Sequence, residues 1–158
     1  MGVVLARIDQ RLVHGIVVTQ WVSAVKAKRI MVVDDDVEQD EPRKAAMRLS
    51  KPAGTGMSLI GKDKAINNFK DGKYDNHNVL LVVNNVEILL ELVRNGVEIP
   101  KVNIGIMLDR EDRKKYAKNF AANEEELNQL KELEDLGIQV SYQFTPSDKE
   151  EKLEKLLN

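Results

Sequence analysis

The sequence predicts an α/β protein built on an open, mostly parallel sheet with helices on both faces. Two observations carry this reading. Six short apolar runs recur along the chain, several of them without polar alternation, as strands covered on both faces require. Between them lie amphipathic stretches suited to crossover helices, and the β-α alternation persists over the whole length.

The strands are expected at Val3–Ile8, Arg29–Val33, Met57–Ile60, Val79–Val83, Val102–Ile106 and Ile138–Tyr142. The segment Gly15–Lys26 has strand-forming valines, but Val18, Trp21, Val22 and Val25 share one helical face, and a crossover is needed before the next strand. It is read as a helix. Asp40 or Glu41 before Pro42 starts a helix that runs to Leu49. Asp63–Phe69 and Val86–Val93 are the next two, the second ended by Gly96. Asn123 with Glu126 three residues on is a capping box, opening a helix with Leu127, Leu130, Leu133 and Leu136 that Gly137 closes. A last helix is expected from Pro146–Ser147 through Leu157. Asp109–Ala122 is the least legible stretch, with room for a short helix, a short edge strand, or both.

The 158 residues suit a single domain, 1–158, with no repeat, low-complexity tract or linker. Aromatics are only 4%, so the core is mostly Val, Ile and Leu, and single-stranded nucleic acid finds few stacking platforms. A net charge of -2 supplies no basic excess for a phosphate backbone, which argues against nucleic acid as a partner. The chain has no cysteine and two histidines, which excludes thiolate chemistry and argues against a multi-histidine metal site. The run VVLA is too short for a signal peptide, and no run approaches the roughly 20 apolar residues of a membrane span. A cytoplasmic location is expected.

In open α/β sheets, ligands bind beyond the carboxyl ends of the strands. Only the loop after the first strand joins a nucleophile to cations there. It reads RIDQRLVHG, residues 7–15, and holds Arg7, Asp9, Arg11 and His14. A neutral His14 ring can attack phosphorus. Arg11, three residues away, suits a phosphoryl clamp with paired donors. Arg7 is placed by alternation on the face of Val3 and Leu5, and nearby positive charge favours a neutral, nucleophilic imidazole. Asp9 is suited to orient Arg11 or His14. If Gly15 opens a helix, its free backbone N–H groups and that of Ile16 add an anion cradle. These parts fit phosphoryl transfer through a phosphohistidine. They fit a plainer arrangement too: a polar loop histidine, with Arg7 and Asp9 as a structural ion pair and Arg7 reaching Asp34–Asp36. His77 reads as a turn residue before a strand. KPAGTG, 51–56, lacks the ending of a phosphate-binding loop and reads as a turn. DDDVEQDE, 34–41, reads as a solvated loop biasing a helix N-terminus rather than as a cation site.

RIDQRLVHG followed by Trp21 resembles the active-site segment of the phosphotransferase-system enzyme IIB components of the mannose/fructose/sorbose family. The resemblance continues, in order, through IMVVDDDVEQD, LSKPAGTG, VNIGIM and LGIQVSYQFTPSD. It implies a mainly parallel sheet of about seven strands. It implies that His14 is the phosphocarrier, taking a phosphoryl group from a phosphorylated IIA partner and passing it to a sugar held by the membrane components IIC and IID. Arg11 matches the family arginine near the phosphoryl group, with Asp9 and Arg7 flanking. The resemblance implies no metal, nucleotide or other cofactor, a position at the membrane through IIC and IID, and it allows a homodimer. Ile16 stands where the family usually has Gln, Ile106 where a second Gly is usual, and Asn85 where Pro is expected. Two competitors remain. One is a non-catalytic binding or regulatory module of the same fold. The other is a signalling receiver, suggested by IMVVDDD but opposed by the preceding strand and helix and by Asn84–Asn85 where an acceptor aspartate belongs.

Overall fold

A computed structural model describes residues 2–15 and 17–158. Strand β1 is Gly2–Asp9. A π-helical segment, Val17–Trp21, runs into the short helix α1, Val22–Ala24. Then come β2 (Arg29–Val33), α2 (Asp35–Glu38), α3 (Glu41–Leu49), β3 (Gly56–Ile60), α4 (Lys62–Lys70), β4 (Asn78–Val83), α5 (Val86–Arg94) and β5 (Lys101–Ile106). The remainder is the hairpin β6 (Lys114–Ala117) and β7 (Phe120–Ala122), followed by α6 (Glu124–Asp135), β8 (Gln139–Tyr142), β9 (Glu151–Lys152) and α7 (Leu153–Leu157).

Seven strands form one sheet in the order β3-β2-β4-β1-β5-β8-β9. All pair in parallel except β9, which runs antiparallel to β8. The central strand β1 lies between β4 and β5. The chain leaves it toward β2 on one side and later crosses to β5 on the other. Its carboxyl end therefore opens where strand order reverses, the crevice such sheets use for ligands.

Two apolar layers cover the sheet. Ala6, Ile8, Leu81, Leu89 and Leu133 belong to the layer beneath α4, α5, α6 and α7. Leu5, Val17, Trp21, Val32 and Met47 belong to the layer beneath the π-segment and α3. A bulge between Val3 and Leu5 decides which layer each β1 residue enters. Strict alternation would put Val3, Leu5 and Arg7 together. The extra residue sends Val3 to the first layer and leaves Leu5 and Arg7 facing Trp21.

The helix starts follow the expected side chains. The Asp40 carboxylate accepts from Arg43 N–H at 3.1 Å, Asn85 from Ile88 N–H at 3.0 Å, and the Asn123–Glu126 box is closed in both directions. Asn85 thus works as a cap where Pro was expected. The acidic segment is more than a solvated loop. Asp34 caps α2 through Val37 N–H at 2.9 Å, while Glu38 and Asp35 accept the Gly61 and Lys62 amides at 2.8 Å each.

Two expectations are made specific and one is corrected. The helix expected over Gly15–Lys26 is present over Val17–Trp21 and Val22–Ala24, largely in the wider π form; the Thr19 hydroxyl donates to the Gly15 carbonyl at 2.6 Å and competes with the backbone there. Asp109–Ala122 contains the β6–β7 hairpin and no helix. The last helix begins at Leu153, not Pro146. The Gln143 amide takes the Pro146 and Asp148 carbonyls, and Thr145 bonds to Asp148, so 143–148 is held as a turn.

The helical stretch before β2 ends on Lys26, whose φ of 55° lies in the left-handed region. Lys26→Gly is expected to stabilise the fold by roughly 0.5–1 kcal/mol, because about 1–2 kcal/mol of left-handed strain exceeds the ~0.4–1 kcal/mol of added chain entropy. A higher denaturant midpoint with an unchanged slope is the check.

Candidate active site

The last residue of β1, Asp9, is fully buried and committed on both oxygens. Its Oδ1 accepts the Arg11 backbone N–H at 2.9 Å. Its Oδ2 meets Arg7 Nε at 3.2 Å and His14 Nε2 at 2.8 Å. The carboxylate is acceptor-only, so Nε2 carries the ring proton and donates. The imidazole keeps 23% of its side-chain surface exposed, and its Nδ1 makes no hydrogen bond among the described residues.

Arg7 is also fully buried. Its Nη1 donates to Asn103 Oδ1 at 2.7 Å and to the Gln143 carbonyl at 3.4 Å. The guanidinium lies 5.4 Å from the Trp21 ring centroid, a cation–π geometry, and Trp21 Nε1 donates to the Phe144 carbonyl at 3.1 Å. Its other side lies on Gly105, where a Cβ would overlap the guanidinium. That glycine sits at a second register shift, between the Ile8–Ile104 and Asp9–Ile106 pairs. Burial pushes the guanidinium below its usual pKa, and Asp9 opposes the shift. Arg7 does not reach Asp34–Asp36. It faces β5 and β8, so it has no surface to offer a phosphoryl group and acts through Asp9.

The loop folds back on itself to bring His14 over Asp9. Leu12 N–H donates to the Asp9 carbonyl at 2.9 Å, and Leu12 adopts φ 57°, a left-handed conformation rare for a leucine. Its side chain is fully buried, and that burial offsets the strain. Arg11 is exposed, and among the described residues nothing pairs with its guanidinium. The His14 carbonyl accepts from Val18 N–H at 3.1 Å, so His14 stands at the helix start and Gly15 is exposed in its first turn. Ile16 lies outside the described residues.

The structure thus gathers Asp9, Arg7 and His14 into one bonded group and places Arg11 at the rim. Sequence reasoning missed Asn103, Gly105 and Gln143 as its bed. A polar residue and a glycine inside the apolar run VNIGIM were the available signal. It also missed the neighbouring brace. Gln10 Oε1 accepts from Arg113 Nη1 at 2.7 Å and from the Leu108 amide, while Arg113 makes a twofold contact with Glu126 at 2.9 and 2.6 Å. This ties the loop to the start of α6. Among the described residues no cluster of three or more His, Asp or Glu side chains forms a metal site, and no helix is long and apolar enough to cross a membrane.

Comparison with known proteins now adds to the geometry. Residues 3–158 match the family model described as PTS system sorbose subfamily IIB component. The IIB domain of the sorbose permease from Klebsiella pneumoniae superposes with a TM-score of 0.94 at 32% identity, covering 100% of this chain and 97% of that one. The fructose-specific EIIB component of Bacillus subtilis (strain 168) is 32% identical over 99% of this chain and 96% of its own length. The mannose-specific EIIAB component of Escherichia coli (strain K12) is 31% identical over 100% of this chain and 49% of its own length.

Removing the charge of Asp9 strands the Arg7 cation in the interior. Asp9→Asn is expected to destabilise by about 3–5 kcal/mol. A double-mutant cycle with Arg7→Met, followed by urea unfolding, is expected to return a coupling of at least about 1 kcal/mol. Gly105→Ala is expected to cost about 1–3 kcal/mol by overpacking and to move Trp21 emission with it.

Proposed function

The chain belongs to the sorbose subfamily of phosphotransferase-system IIB components, and we propose that it is the phosphocarrier of a sugar uptake system, with His14 as the acceptor. Members of this family are phosphotransferases that work with IIA and with IIC/IID partners. The observation that carries the residue-level reading is the ring held by Nε2–H on buried Asp9, with Nδ1 left unbonded and the imidazole part-exposed.

The Nδ1 lone pair attacks the phosphorus of a phosphohistidine on the IIA partner. The new N–P bond forms as the donor's N–P bond breaks. Positive charge then grows on the imidazole, and the Nε2–H···Asp9 bond strengthens to meet it. Arg7 holds the Asp9 carboxylate in place, and the carboxylate orients the ring. Arg11, exposed at the rim, neutralises the equatorial oxygens, and the Gly15 amide at the helix start adds a donor. In the second half-reaction a sugar hydroxyl on IIC/IID takes the phosphoryl group as the His14 N–P bond breaks, releases its proton to water, and returns the neutral ring. The IIAB relative, in which this chain matches half of a longer protein, supports the IIA pairing. The protein would act as one domain over 1–158, at the membrane surface through IIC/IID.

Incubation with phosphoenolpyruvate, the general phosphotransferase proteins and a cognate IIA is expected to load one acid-labile, base-stable phosphate. Proton–nitrogen NMR is expected to place it on Nδ1 of His14. Label retained in His14→Ala, or found on Nε2, defeats the reading. Arg11→Ala is expected to slow transfer about 10²-fold with an unchanged melting temperature; equal loss of folding would make Arg11 structural.

A further inference from the structure

The sheet edge far from β9 is β3, and it lines a cleft of about 470 Å³ between α3 and the α4 side of the sheet. Six of its lining side chains are basic: Arg29, Lys44, Arg48, Lys64, Lys73 and His77. Its one acid, Glu38, is already engaged by the Gly61 amide at 2.8 Å. Lys44 is paired with Glu41 at 3.0 Å. Among the described residues Arg29, Arg48, Lys64 and Lys73 form no ion pair. In a chain of net charge -2, this is a local concentration of positive charge without its counter-charge.

A second observation is independent of the charge count. Among the described residues three buried side-chain nitrogens have no hydrogen-bond partner: Arg7 Nη2, Arg29 Nε and His77 Nδ1. The first belongs to the site around Asp9. The other two belong to residues that line this cleft, although the nitrogens themselves are buried behind its surface. Arg29 is fixed by its Nη1 bond to Ser58 Oγ at 2.9 Å, which leaves Nε a positioned, unused donor. Native proteins leave few such groups, and each calls for a reason. Charges beside an edge strand also discourage edge-to-edge pairing, and exposed Arg48, Lys64 and Lys73 can do that alone. That role does not account for the part-buried Arg29 guanidinium held beside the cleft by Ser58, whereas an oxyanion seated in the cleft meets its charge and those of Arg48, Lys64 and Lys73.

We infer that the β3-edge cleft is a second anion site, three strands from β1, for a small molecule bearing phosphate-type oxygens. It rests on its own residues and not on phosphoryl transfer at His14. Imidazole NMR of the full chain tests it, because the two histidines report separately on the loop and the cleft. Sodium pyrophosphate is titrated at fixed ionic strength into His14→Ala, which removes the loop signal. A saturable shift of the His77 resonances is expected. The double variant Lys64→Gln/Lys73→Gln, both exposed positions, is expected to weaken binding about tenfold or more, with an unchanged melting temperature in the absence of pyrophosphate. No saturable shift at His77, an equal shift with sodium chloride, or an unchanged affinity in the double variant overturns the inference. The titration contains no phosphoryl donor, so its outcome is separate from that of the labelling experiment.

Discussion

The buried carboxylate of Asp9 is the point on which the rest of the site depends. It ends the central strand, turns the chain through the Arg11 amide, holds the His14 ring and neutralises Arg7. A carboxylate taken out of water loses hydration worth several kcal/mol, which only good partners return. Asp9 has one backbone donor and two side-chain donors, which take the place of the water it lacks. The interaction does little for stability compared with an apolar pair of equal volume. What it secures is a single orientation for the imidazole.

That arrangement divides the two arginines by task. Arg7 is internal, flat against Gly105 and Trp21, and sets the electrostatic balance of Asp9 from within the sheet. Arg11 is external and exposed, and among the described residues its guanidinium has no partner. Two register shifts make the division possible. The one at Val3–Leu5 turns Arg7 toward Trp21, and the one beside Gly105 opens the space the guanidinium occupies. A sheet with ideal pairing would have neither.

Local chemistry was legible in the sequence and tertiary chemistry was not. The buried strands showed as unbroken apolar runs, and the Asp40, Asn123 and Gly137 signals sat where short-range rules put helix ends. The charged loop after β1 stood out because such groups have no use in a plain turn. The bulge after Val3 left no local mark, so alternation placed Val3 with Arg7 on the wrong face. The fold of 143–148 depends on the Gln143 amide capturing carbonyls three and five residues on, against a helix-start signal at Pro146–Ser147. The β6–β7 hairpin has its buried residues in β7 and exposed lysines at Lys114 and Lys115, which gave too little periodicity to read. The bed under Arg7 draws on β5, the turn after β8 and the π-segment, three places that no short-range pattern connects.

Trp21 is the chain's one tryptophan. It is buried, fixed by its bond to the Phe144 carbonyl, and faces the Arg7 cation. A nearby cation alters the energy of an excited indole, so its fluorescence is sensitive to where that charge sits. Any rearrangement at Asp9 reaches the indole through a single side chain. The protein therefore carries an intrinsic optical probe inside its candidate active site, and its emission reads the electrostatics around His14 rather than an average over the fold.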